Sequence, residues 1–147
     1  MIHDILKNFG TYLTTSAGYS KVFYNQVPEK GGMLNPPYAE IWIDDTNYPI
    51  QPNLGIPATS HIVFKSYFRN TYENGTIENL ELRSQKEIEI YQMFHNADFI
   101  SSLQDNNNSF VNIDEVIPAT NVYTDINGIT NNLIMIDYRF DILWRVI

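Results

Sequence analysis

Two pairs of adjacent carboxylates are the residues whose type and spacing come nearest to a catalytic arrangement. They are Asp44-Asp45 and Asp114-Glu115. Paired carboxylates can share acid and base roles when a pocket raises the pKa of one of them. Each pair stands at or near the end of a segment with strand character, where charged side chains normally meet water. The sequence therefore favours solvated strand ends over a catalytic pair.

The sequence also contains no pattern typical of a metal site or a cofactor site. The histidines His3, His61 and His95 lie in separate segments and in no spacing typical of a metal site. The run 125–128, Asp-Ile-Asn-Gly, is similar to the start of a calcium loop, but the bidentate Glu that closes such a loop is replaced by Ile136. The chain has no cysteine, no nucleophile elbow and no glycine-rich phosphate loop. We predict a protein that is not an enzyme and that holds no metal or cofactor.

Composition narrows the class of protein further. The 147 residues are 44% hydrophobic, which predicts a single domain over 1–147 with a real core. Nine basic residues against 17 acidic ones give a formal charge of −8. Without a basic cluster, specific nucleic-acid binding is not expected, and the charge repels DNA that passes nearby. No long apolar run or signal-like segment is present, so we expect a soluble, non-secreted protein with no membrane partner.

The segment "NLIMIDYRFDILWRVI", residues 132–147, has the most regular hydrophobic alternation in the chain. Its even positions from Ile134 to Val146 are all apolar, whereas Asp137, Arg139 and Asp141 are charged. A period of two places the apolar side chains on one face of a strand. At about 3.3 Å per residue this strand would reach roughly 50 Å. We expect a bulge near 137–141, or an end that projects past the domain and pairs with something else.

Periodicity and breaker residues place the other elements in a simple order. We predict helices over 2–13 and 85–95, and a turn of helix at 98–104. The helix over 85–95 begins either with a capping box at Ser84 or as early as Glu78. We predict strands over 21–27, 38–44, 61–72 and 110–117, a hairpin turn at 73–76 and a turn at 124–132. The sequence therefore predicts an α+β fold: a mostly antiparallel sheet, an N-terminal helix and a mid-chain helix packed on one face, and a long C-terminal strand.

The segment 45–60 is predicted to be a long loop. It contains three prolines and a glycine, and its apolar side chains Tyr48, Ile50, Leu54 and Ile56 have no regular element to pack in. Two interpretations stay open: the loop covers the core of its own domain, or it is an arm that contacts another subunit. In the second interpretation these four residues are the candidate subunit interface.

The layout resembles a known family. A short N-terminal helix and a strand are followed by a Pro-rich stretch into "PPYAEIWID", a mid-chain helix, and "FVNIDEVIPATNVYTDINGITNNLIMIDYRFDILWRV". In element order and closing strand, nearly the whole chain is similar to the tail-terminator or neck proteins of tailed bacteriophages.

The resemblance implies a function and a set of partners. Such a protein is a structural component of the virion, made in the host cytoplasm, that forms a ring, commonly of six copies. The ring caps the tail tube and joins it to the head–tail connector proteins. DNA can pass through such a ring without specific binding, and the acidic residues Asp44, Asp45, Asp114 and Glu115 are candidates for facing its channel.

Two alternatives remain. The chain could be another virion joint, such as a head-completion or baseplate component, which would have the same composition. It could instead be a monomeric domain or small enzyme whose sheet and 45–60 loop enclose a small ligand, with the aromatic walls Tyr38, Trp42, Tyr48 and Tyr67.

Overall fold

The computed structural model describes residues 1–26, 35–50, 55–73, 75–104, 110–114, 120–124 and 133–146. These residues contain three helices, which are α1 (Ile2–Thr15), α2 (Ile77–Phe94) and α3 (Ala97–Leu103). They also contain six strands, which are β1 (Val22–Tyr24), β2 (Tyr38–Asn47), β3 (Ala58–Arg69), β4 (Phe110–Asp114), β5 (Thr120–Thr124) and β6 (Leu133–Trp144).

The strands form one sheet in the order β1-β2-β3-β6-β4, and β5 also pairs with β6. The pair β1–β2 is parallel, and the other pairs are antiparallel. The predicted α+β class with a mostly antiparallel sheet and a long C-terminal strand is confirmed. Within the described ranges, no helix combines the length and the apolar character needed to cross a membrane.

The long strand β6 is matched by an equally long neighbour. Its twelve residues pair with the twelve of β3 in one unbroken register, from Ala58 opposite Trp144 to Arg69 opposite Leu133. Both sequence-based expectations for this strand are therefore wrong, because β6 shows no register shift against β3 and both of its ends pair inside the domain. The extra length is used within the sheet, where β4 pairs with one half of β6 and β5 with the other half.

The mid-chain helix starts earlier than the predicted range 85–95. Thr76 is its N-cap, and its Oγ1 accepts a hydrogen bond from the backbone N–H of Asn79 at 3.2 Å. The expected capping box at Ser84 is wrong because Ser84 lies inside the helix, and the early start near Glu78 is the better of the two expectations. The chain does not form a β-hairpin at 73–76, because the next element after β3 is α2, although the Thr76 N–H does donate to the Glu73 carbonyl at 3.4 Å; Asn74 lies outside the described residues.

Strand boundaries differ most around the predicted 45–60 loop. Strand β2 continues to Asn47 and β3 begins at Ala58, so cross-strand pairing takes up both ends of that segment. Of the predicted fourth strand over 110–117, the structure describes Phe110–Asp114 as β4, and 115–117 lie outside the described residues, as does the predicted turn after Thr124. Strand β5 was not predicted, because the short run Thr120–Thr124 has no apolar alternation and its strand geometry comes from pairing with β6.

The core lies between the sheet and the helices. Phe9 of α1 has its ring centroid 5.1 Å from that of Phe64 and 6.0 Å from that of Phe140. Phe94 of α2 stacks on Tyr138 at 4.5 Å and lies 4.6 Å from Phe140. Both helices therefore contact the face of the sheet that carries the even-numbered residues of β3 and β6. We call the opposite face, with the odd-numbered residues of these strands, the far face.

Candidate functional site

A bulge in β2 places two carboxylates side by side on the far face. Ile43 pairs with Ile62 but Asp45 pairs with His61, so Asp44 is the extra residue. A regular strand would send Asp44 and Asp45 to opposite faces, and the bulge removes that alternation. Asp44 Oδ2 lies 3.9 Å from Arg139 Nη1. Asp45 Oδ1 lies 3.6 Å from His61 Nε2.

These side chains line an open pocket of about 460 Å³ on the far face. Its charged and titratable members are Asp44, Asp45, His61, Asp114, Arg139 and Asp141. We call this site the acidic pocket, because its four carboxylates outnumber the single guanidinium and the one histidine. Strands β2, β3, β4 and β6 each contribute at least one of these residues.

His61 is the centre of the hydrogen bonds in the acidic pocket. Its Nδ1 lies 2.5 Å from Oδ1 of Asp141, and its Nε2 lies 3.2 Å from Nδ2 of Asn47. In the neutral ring with the proton on Nδ1, that nitrogen donates to Asp141 and Nε2 accepts from the Asn47 amide. The hydrogen bond to Asp141 raises the pKa of His61, burial opposes it, and the charges of Asp141, Asp45 and Asp44 add to the increase.

Three of the four predicted channel-facing acids come together in this pocket. Asp44, Asp45 and Asp114 all line it, and Glu115 lies outside the described residues. Sequence analysis did not single out His61, Arg139 and Asp141 as members of the same site. The charged alternation of the closing strand was visible, but its pairing with the strand of His61 was not. That register sets His61 directly opposite Asp141.

The acidic pocket is suited to repelling anions. Asp44 and Asp45 are more than half exposed, so their charges face water. Among the residues that the structure describes, no group of three or more metal-ligating side chains is placed to hold a metal ion.

A second polar cluster on the far face is buried. Glu40, which is 1% exposed, accepts hydrogen bonds from Trp42 Nε1 at 3.0 Å and from the hydroxyl of Tyr67. Burial raises the pKa of Tyr67, and the bond to Glu40 raises it further. The ring of Tyr38 stacks on Tyr67 with centroids 4.7 Å apart. Asp137, also buried, has its Oδ1 3.6 Å from Arg139 Nε without a hydrogen-bond partner.

The four residues that were predicted as the aromatic walls of a ligand site lie in two separate places. Tyr38, Trp42 and Tyr67 pack around Glu40 near the start of β2. Tyr48 follows the other end of β2 and contacts Trp144, with 6.0 Å between ring centroids. At about 3.3 Å per residue the two places are roughly 30 Å apart along the strand. The four aromatic residues therefore do not line one cavity.

The turn between β2 and β3 exposes apolar side chains. Ile50 is 98% exposed, Tyr48 64% and Ile56 53%, and Leu54 lies outside the described residues. We call Tyr48, Ile50 and Ile56 the hairpin tip. The sequence around it carries no Asp, Glu, Lys or Arg from Thr46 to Phe64. A neutral, apolar surface of this kind is typical of a protein contact.

No family model matches the sequence, and no curated protein is significantly similar to it.

Proposed function

We propose that this chain is a structural protein of a tailed-bacteriophage virion, a ring-forming tail terminator or neck component. It caps the tail tube and joins the tail to the head connector. The proposal rests on the resemblance in element order together with the surface features of the fold. In this role the chain acts as a building block, and its contacts with copies of itself and with neighbouring rings are its activity.

The observation that carries the proposal is the hairpin tip. Ile50 leaves almost its whole side chain in water just beyond the last residue of β2, while the apolar residues of β3 and β6 on the helix side are buried. Burying a side chain of this size is worth about 1.5–3 kcal/mol. Assembly recovers that free energy, which a monomer leaves unused.

The acidic pocket supports the second half of the proposal. Asp44, Asp45, Asp114 and Asp141 concentrate negative charge on one face of a chain whose formal charge is already −8. A surface of this sign does not hold DNA, because non-specific affinity for DNA depends on Lys and Arg contacts to phosphates. On this proposal the far face is turned towards the channel and lets DNA slide past.

The direct test replaces residues 48–57 by a short Gly-Ser turn. The pair Asn47–Thr59 stays in place, so β2 and β3 should still form their hairpin. We expect a urea midpoint close to that of the unchanged protein and the loss of its oligomer in native mass spectrometry. Tyr72→Ser, which alters an exposed aromatic residue outside the tip, is the control and should keep the oligomer. An unchanged oligomer in the shortened protein would remove the tip as an interface.

The same measurements separate the alternatives. A different virion joint would also assemble, and it would differ in which purified ring it joins. A monomeric ligand-binding domain would have the mass of one chain with or without the tip.

A further inference from the structure

Helix α2 carries a second exposed apolar surface. Ile77, Leu80, Ile88 and Tyr91 are each about half exposed or more, and their spacing places them on one side of the helix, as two pairs separated by the exposed Ser84. We call these four residues the α2 stripe. The residues of α2 that are buried are Asn79, Ile90 and Phe94. Apolar residues thus lie on two sides of the helix, and only one of these sides packs on the sheet.

The exposed apolar surface is concentrated in two places. Of the eleven exposed large hydrophobic side chains in the described part of the chain, seven belong to the hairpin tip or to the α2 stripe. Scattered single residues need no explanation, but groups of this kind mark contact sites.

The two surfaces lie towards opposite ends of the sheet. Strand β3 leaves the tip at Ala58 and reaches Arg69 about 36 Å away at 3.3 Å per residue. The start of α2 is fixed to that distant end, where Asn79 Nδ2 donates to Oδ1 of Asn70 at 2.9 Å. At the other end of the helix, Phe94 contacts Phe64 in the middle of β3. The α2 stripe therefore does not reach the tip of its own chain.

We infer that the hairpin tip of one copy docks on the α2 stripe of the next copy. This inference rests on the proposed ring and names its subunit contact. Two different surfaces that join head to tail form a heterologous interface, and such an interface closes into a ring when its rotation allows. One contact of this type, repeated around the axis, covers both exposed surfaces on every subunit.

The negative charge of α2 favours the hairpin tip, and not a second α2 helix, as the surface that binds the α2 stripe. The helix carries Glu78, Glu81, Glu87 and Glu89 against Arg83 and Lys86, so its net charge is negative. Packing two α2 stripes together would bring two acidic helices side by side, and like charges across an interface are costly. The tip has no formal charge and meets the stripe without that repulsion.

Cross-linking in mixtures tests the contact, because the chain contains no cysteine. We would mix Ile50→Cys protein with Ile88→Cys protein and add a flexible thiol-reactive cross-linker, which avoids the strict geometry of a disulfide. The expected product is a dimer that joins position 50 to position 88. Each variant alone should give little product. Tyr72→Cys in place of Ile88→Cys gives the background from random collision.

Complementation gives a second readout. Ile50→Asp disables the tip and Ile88→Asp disables the stripe, so each variant alone should be a monomer. Their mixture should contain a heterodimer, because one intact tip and one intact stripe remain. A contact between two α2 helices predicts instead that Ile50→Asp still dimerises by itself.

The outcomes are distinguishable from failure of the ring itself. If the unchanged protein is an oligomer but the 50–88 product stays at the Tyr72→Cys background, or 88–88 products dominate, the tip-to-stripe contact is wrong and the ring proposal survives. If the unchanged protein is a monomer and no 50–88 product forms, both fail.

Discussion

The ring of Tyr48 meets the ring of Trp144 edge-on, with 6.0 Å between centroids and 82° between planes. Trp144 is itself buried, and its Nε1 donates to Oγ of Ser60 at 2.9 Å. The base of the hairpin tip is therefore attached to the end of the core, while Ile50 extends beyond it into water. A segment whose base packs on the core loses less conformational entropy on docking than a free loop.

Shortening the side chains of β6 that face the helices should strongly destabilise the fold. Ile142 is fully buried and Phe140 packs against Phe9 and Phe94. Ile142→Ala and Phe140→Ala should each lower the free energy of unfolding by about 2–5 kcal/mol, through lost burial and the cavity left behind. Urea denaturation measures the change. Arg145→Ala, at an exposed position, should stay within about 0.5 kcal/mol. Midpoints unaffected by both core substitutions would contradict this packing.

The His61–Asp141 bond predicts a pH dependence of stability. The pKa of His61 is raised in the folded protein, so protonation favours the folded state. Its contribution is complete below the unfolded pKa of about 6.5 and is lost as the pH rises through the folded pKa. Compared with His61→Gln, the unchanged protein should gain stability as the pH falls from about 8.5 to 5.5. The gain should be small, because the side chain is partly exposed.

Chemical denaturation of both proteins at several pH values gives this difference. Carboxylates remote from His61 affect both proteins alike and cancel in the comparison, so the difference reports His61 together with the carboxylates that face it, Asp141, Asp45 and Asp44. Parallel curves for the two proteins would show that the bond does not couple to folding.

The buried Glu40 should depend on its donors. Tyr67→Phe removes one hydroxyl donor to this carboxylate and should cost about 1.5–3 kcal/mol, the usual range for a hydrogen bond to a charged group. Tyr38→Phe keeps the stacked pair and leaves the Tyr67–Glu40 bond in place, so it should cost less. Equal losses in the two variants would mean that the hydroxyl bond adds nothing beyond the packing of the rings.

Much of the fold could be predicted from local pattern. The alternation in 132–147 identified β6, and the helical spacing in 2–13 identified α1, because both patterns reflect burial on one side. Strand β5 and the start of α2 were missed, since pairing with β6 and the Thr76 cap decide them. The predicted bulge in β6 was wrong because strand length was judged without knowing that β3 matches it residue for residue.

Part of the candidate site could be predicted from the sequence. The acids Asp44, Asp45 and Asp114 could be chosen from sequence because adjacent carboxylates are visible in it. Their meeting with His61 and Asp141 depends on the β2 bulge and on a register between distant strands, which no local pattern encodes. The α2 stripe went unnoticed for a related reason. An apolar residue in a helix is assigned to the core until it is known which side of the helix packs on the sheet.

The proposed contacts predict that assembly resists salt. The tip is uncharged and the stripe is apolar, so screening should remove little of the contact energy, and exposed ion pairs contribute only about 0–1 kcal/mol each. The oligomer should sediment alike at low salt and at about 1 M, where the Debye length is about 3 Å. Dissociation to single chains at high salt would instead make charge pairs the main contact.

Native mass spectrometry of the unchanged protein tests the central claim most directly. Self-assembly through the tip predicts a closed oligomer of fixed size, a whole multiple of the 17.1 kDa chain, with six copies expected from the family resemblance. The same size should persist as the protein is diluted, until the ring dissociates. A single species of 17.1 kDa at every concentration, including the highest attainable, would contradict the claim.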